Sequence, residues 1–294
     1  MCCKRERKIG VIYLGAHFLS VVYGLGAALS FGTGDFAGGI VTKKSPVFTV
    51  IIFSQMTGGL MLLGLAVILN QNLSSVSDLF LGCLAGICGT TGLTCLYKGL
   101  STSKMGLVAP VAAVVSAVFP VIVGIFIQGW PTALQLTGFG LAIIAVWLLS
   151  GGGAKAPMLL GELKLPVAAG LGFGMFFIII SQVSADSILW PLISARVASI
   201  ALFLPIAKIK QTHLIPAKEN FLMIILAGGC DAAGNIFFVL ASNIGRLDIS
   251  VIVTSLYPAI TVLLAWVILK EKLTKAQWTG FWIVLFALML IAQN

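Results

Sequence analysis

The stretch from Ala27 to Leu148 recurs 142 positions later without a gap, and this repetition constrains the fold more than any other feature of the chain. Leu84-Ala85-Gly86, followed by Cys88 and Gly92, lands on Leu226-Ala227-Gly228, followed by Cys230 and Gly234. Thr132, Gln135, Thr137, Gly138 and Phe139 land on Thr274, Gln277, Thr279, Gly280 and Phe281, and Phe31-Gly32 lands on Phe173-Gly174. Chance matching in an apolar alphabet, or the general use of small residues where membrane helices meet, gives only scattered identities. A paired cysteine and a paired Thr-x-x-Gln-x-Thr-Gly-Phe at one shift are not scattered. The chain is therefore read as one unit used twice.

That unit belongs in lipid. Charged residues make up 9% of the chain and hydrophobic ones 59%, against about 25% charged in a soluble domain. A span needs about 20 apolar residues, and backbone groups inside the bilayer must pair within their own helix. Apolar runs meet this about Phe18 to Val41, Val47 to Leu69, Leu79 to Leu96, Met105 to Ile127 and Leu134 to Leu149. Five more run about Leu165 to Val183, Ile188 to Ala207, Phe221 to Leu240, Ile249 to Leu269 and Trp278 to Ile291. The expected fold is an all-α membrane protein of ten transmembrane helices, arranged as two inverted five-helix repeats. Its parts are a basic N-terminal segment (1–17), a first repeat (18–150), a linker (151–163) around Ser150-Gly-Gly-Gly-Ala-Lys-Ala-Pro157, and a second repeat (164–294). An odd number of spans per repeat starts the second copy from the opposite side, so the copies are related by a pseudo-twofold axis in the membrane plane. Two near-equivalent inverted halves have outward-open and inward-open states of similar energy, which suits alternating access to one central site.

Charge and cysteine content narrow the function further. The net charge of +9 comes from residues scattered through short loops, with no basic face; this points to lipid headgroups and away from nucleic acid. Lys4, Arg5, Arg7 and Lys8 resemble the start of a signal peptide, but no small-residue cleavage site follows and the segment is expected to be retained. Cys83, Cys88, Cys95 and Cys230 sit in apolar runs as small hydrophobes, and only their position near the membrane marks Cys2 and Cys3 for acylation. Twelve lysines follow odd-numbered spans, whereas Lys4, Arg5, Arg7, Lys8 and Arg246 lie on the other side. The count and the compact basic N-terminus vote for opposite orientations. Both termini on one side follows from the even number of spans.

The chain resembles the drug/metabolite transporter superfamily, in its ten-helix class with two EamA-type domains. The resemblance rests on the halving, on Ser30-Phe31-Gly32-Thr33-Gly34-Asp35-Phe36, and on Tyr257-Pro258 followed by Lys270-Glu271-Lys272-Leu273-Thr274 and Gln277-x-x-Gly280. The first repeat departs, reading Gln128-Gly129-Trp130-Pro131 where the family places Glu and Arg. The resemblance implies a secondary transporter, often an exporter of amino acids, other metabolites or toxic compounds, in several branches driven by proton exchange. It carries no fixed binding motif.

Site candidates come from chemistry. A carboxylate at the bilayer centre costs about 2.5 to 3.5 kcal/mol on insertion scales and is expected to face a cavity or a partner. Asp231 lies midway along the eighth run with Asn235 one turn on, on the same helical face. It reads either as a proton-coupling or substrate-binding group or as a structural partner of Arg196. Asp35 is the second candidate, with Lys43 and Lys44 close behind it and snorkelling as the alternative. Gln55, Thr91 and Tyr257 complete the set. Tyr257 gains weight because Pro258 beside it frees a backbone carbonyl. The remaining in-span polar groups, Thr90 and Thr94 among them, are expected to bond neighbouring helices or their own i−4 carbonyls. The 142-residue shift pairs Asp35 with Phe177, Asp231 with Gly89 and Arg196 with Ser54, so the charges break the repeat. Few aromatics stand near Asp231 in sequence, which leaves cations, zwitterions and neutral metabolites open. No His-Glu-x-x-His, Cys-x-x-Cys or phosphate-binding loop appears. The expectation is a non-enzymatic, cofactor-free, multi-pass protein of the cell (inner) membrane, with a small molecule, protons and lipid as partners. A non-transporting sensor or assembly subunit on the same fold is the alternative.

Overall fold

Each apolar run closes into a helix because its backbone has no other partner in hydrocarbon. The computed structural model describes residues 2–102, 105–149, 163–185, 187–212, 214–270 and 274–291, with side chains omitted at 2–16, 97, 99–102, 105–110 and 149. The first half comprises α1 (Cys2–Thr42), α2 (Val47–Ile68), α3 (Val76–Thr102), α4 (Met105–Gln128) and α5 (Ala133–Leu149). The second comprises α6 (Lys164–Ile180), α7 (Leu189–Ile209), α8 (Phe221–Ile244), α9 (Leu247–Thr254), α10 (Tyr257–Leu269) and α11 (Lys275–Ile291). Among the described residues there is no strand, six helical stretches are long and apolar enough to cross a membrane, and three are shorter and apolar. The linker from 151 to 162, Tyr97's side chain and the Glu271-Lys272-Leu273 part of the closing pattern lie outside the described residues.

Two boundaries differ from expectation. Helix α1 begins at Cys2, since the Lys and Arg of the basic segment are good helix formers and carry the helix through it. The ninth apolar run is two helices. Pro258 has no amide to give the Thr254 carbonyl, and Leu256 N turns to Val253 O at 3.2 Å while Ala259 N turns to Leu256 O at 2.9 Å.

The repeat governs the packing. Under the 142-residue shift α1 corresponds to α6, α2 to α7, α3 to α8, α4 to α9 and α10, and α5 to α11. The dominant contacts come in matching pairs: α1 on α8 and α6 on α3, α2 on α8 and α7 on α3, with α2 on α7 and α5 on α11 pairing mates directly. The halves interlock along most of their length. The recurring glycines mark the close crossings: Gly86 meets the Ala195 backbone of α7 and Gly228 the Ser54 backbone of α2, so a Cβ at either fits only if a helix moves. The Thr-x-x-Gln repeat is a capping box in both copies. Thr132 N donates to Gln135 Oε1 at 3.0 Å and Thr274 N to Gln277 Oε1 at 2.8 Å, each returned by the Gln amide to the Thr hydroxyl at 3.3 Å.

The first half's departure from the family ending also finds a use. Gln128 Oε1 accepts the Leu247 amide at 2.8 Å, and the carbonyls of Gln128 and Gly129 accept the Arg246 guanidinium at 3.2 and 2.7 Å. Arg246 also pairs with the fully buried Asp248 at 2.8 Å. The turn between α8 and α9 is thereby fixed to the turn between α4 and α5.

Candidate functional site

Helix α2 packs against both α7 and α8, and that contact brings three of the flagged side chains together. Arg196 of α7, buried, donates through Nη1 to Gln55 Oε1 of α2 at 2.5 Å and to Asp231 Oδ2 of α8 at 2.6 Å. The ion pair therefore exists, yet it is lopsided: the Arg196 side chain is 9% exposed and that of Asp231 39%. Arg196 Nε and Nη2 are buried with no hydrogen-bond partner among the described residues. One turn along α8, Asn235 Nδ2 donates to the Asp231 carbonyl at 2.7 Å and reaches Asp231 Oδ2 at 3.5 Å, which leaves Asn235 Oδ1 buried and unpaired.

These groups border a cavity of about 100 Å³. A water needs roughly 10–15 Å³ on this measure, so there is room for a molecule of several heavy atoms and not for a large drug. Asp35 and Phe31 of α1, Tyr257 at the start of α10 and Ser116 of α4 also line it. Gly32 of α1 lies directly on the Tyr257 carbonyl, and Thr261 Oγ1 donates to Gly32 O at 3.0 Å. This contact sets Asp35, one turn further along α1, beside the break between α9 and α10. Asp35 is near enough to both Asp231 and Tyr257 to interact with them electrostatically. Among the described residues Asp35 has no hydrogen-bond or ion-pair partner.

Six of the seven site candidates, Asp231, Asn235, Asp35, Tyr257, Arg196 and Gln55, thus share one cavity. Thr91 does not. It is exposed and its hydroxyl bonds the Ile87 carbonyl at 2.7 Å, because a residue of helix is a turn of about 100° and it is Thr90 that points inward. Thr90 bonds Ser199 at 2.6 Å, and both line the cavity. The scarcity of aromatics near Asp231 is a second correction, since Phe31, Phe173, Phe176 and Phe177 all face the same space. They come from α1 and α6, distant from Asp231 in sequence. The signal for them was in the repeat: Phe173, Phe177, Gly89 and Leu93 are the 142-shift mates of Phe31, Asp35, Asp231 and Asn235, and all eight line the cavity. The cavity straddles the relation between the halves.

A family model described as the EamA-like transporter family matches residues 18–151 and 160–293. An uncharacterized protein of Methanocaldococcus jannaschii is 27% identical over 131 residues, covering 45% of this chain and 96% of that relative, which is therefore about as long as one half. A solved crystal structure superposes with a TM-score of 0.72 at 16% identity, covering 92% of this chain and 95% of the other; it shares the fold.

Proposed function

The chain belongs to the EamA-like transporter family of the drug/metabolite transporter superfamily, and from that premise we propose that it is a secondary transporter moving a small metabolite, an amino acid or related compound, by alternating access. It is an integral, multi-pass membrane protein. In this reading ten spans form two inverted five-helix repeats, 18–150 and 164–294, with α9 and α10 together making one span. The cavity is the central site, and export across the cell membrane is coupled to proton movement through its carboxylates.

The observation that carries the proposal is the lining of the cavity by paired mates from both halves. A site on the interface of two interlocked inverted units is opened to either side by rocking one unit against the other. A pocket within one half has no such property. Of the two carboxylates, Asp231 is held by Arg196 and Asp35 is not, so Asp35 is the freer to take up and give back a proton.

Flux in proteoliposomes, with a metabolite panel and an imposed pH gradient, tests this. Wild type is expected to accumulate or expel substrate in response to the gradient, and whatever exchange Asp35→Asn still carries out is expected to ignore it. Asp231→Asn is expected to weaken exchange itself. Gradient-independent flux in wild type would remove proton coupling, and absence of flux for every substrate that binds would remove the transporter reading.

A further inference from the structure

The eight mated lining positions differ in chemistry on the two sides of the cavity. Where α1 places Asp35 and α8 places Asp231 and Asn235, the corresponding positions of α6 and α3 carry Phe177, Gly89 and Leu93. Only Phe31 and Phe173 keep the repeat's symmetry. Among these eight positions the acidic and polar groups all stand on the wall made by α1 and α8, and the wall made by α3 and α6 carries none.

The charges on the lining do not cancel. Asp35 and Asp231 contribute two carboxylates and Arg196 one guanidinium. The guanidinium is committed to Asp231 and Gln55 through Nη1, and its other nitrogens are buried with no partner among the described residues. An incoming carboxylate has to compete with Asp231 for it. Asp35, with no hydrogen-bond or ion-pair partner among the described residues, lines the space together with Phe31 and Phe177, whose rings meet edge-on with centroids 6.3 Å apart. An unpaired carboxylate beside aromatic rings receives an organic ammonium group favourably and repels an anion.

We infer that the cargo is a small organic cation with an apolar body and no free carboxylate, its ammonium held at Asp35 beside the polar wall of α1 and α8 and its body against Phe173, Phe176 and Phe177. The inference rests on the transporter reading above and narrows its substrate class to an amine. It also fixes an orientation, because the repeat mates of the acidic positions, Phe177 and Gly89, offer the ammonium no carboxylate.

The test uses three probes sharing one apolar body: phenethylamine, a cation; phenylalanine, a zwitterion; and hydrocinnamate, an anion. Calorimetry on the purified protein measures binding, and counterflow in proteoliposomes measures transport. Phenethylamine is expected to bind, phenylalanine to bind about tenfold or more weakly, and hydrocinnamate not to bind. Asp35→Asn should weaken phenethylamine by about tenfold to a hundredfold, the value of a hydrogen bond to a charged group, with Asp35→Glu restoring most of it. Equal or tighter binding of phenylalanine or hydrocinnamate, no binding of any probe, or an Asp35→Asn protein that binds phenethylamine as wild type does would each overturn the inference. Binding of phenethylamine with no counterflow leaves the charge class standing and overturns transport. Counterflow that favours phenylalanine does the reverse.

Discussion

At the level of single residues, the Arg196–Asp231–Gln55 contact decides how the site responds to mutation. Asp231→Leu leaves a guanidinium buried without its counter-charge, and breaking a buried pair costs about 3–5 kcal/mol. The open side of Asp231 discounts this toward the lower end. Arg196→Met combined with Asp231→Leu removes the charge instead of stranding it. The double variant is therefore expected to unfold at a higher temperature in detergent than Asp231→Leu alone. A double variant less stable than the single one would mean that the pair is not the source of the loss. The charged members of this site were legible because a charge stands out against an apolar run. Thr90, Phe173, Phe176 and Phe177 were not, since a threonine or phenylalanine in a span reads the same whether it meets lipid, a neighbouring helix or a cavity. Applying the repeat to Asp35 and Asp231 was enough to find Phe177 and Gly89, which shows that the information lay in the pairing of positions and not in the residues themselves.

At the level of elements, hydrophobic runs located the helices apart from the start of α1, expected at Phe18 and found at Cys2, and the end of α3, expected at Leu96 and found at Thr102; the one interruption, between α9 and α10, came from a residue quoted for another reason. Pro258 was noted for the carbonyl it frees, but whether a proline in a membrane helix kinks it or splits it depends on what else bonds the freed groups. Here α1 packs directly on the break, Gly32 against the Tyr257 carbonyl and the Thr261 hydroxyl donating to Gly32 O. Pro258→Ala returns an amide to the Thr254 carbonyl and should join α9 to α10. The expected result is a protein that melts at a higher temperature and exchanges substrate more slowly, because the break adjoins the cavity beside Tyr257 and Asp35. Exchange as fast as wild type would show that the break plays no part in opening the site.

At the level of the whole molecule, the paired contacts of α1 on α8 and α6 on α3 make the halves geometrically similar, while the break in the span formed by α9 and α10 has no counterpart: α4 runs unbroken from Met105 to Gln128 despite Pro110 and Pro120. In the alternating-access reading proposed above, the two halves then do not bend alike, and the two end states reached by rocking them are expected to differ in energy. A substrate that meets a less populated open state binds with an apparent affinity lowered by that fraction. Half-saturation measured from the two faces of an oriented vesicle should accordingly differ, and equal values from both faces would argue that the break is energetically silent. Solute and ion gradients still fix the final concentration ratio. In that reading the missing counterpart to the break would act on traffic alone: it would let the protein rectify rates without displacing equilibrium.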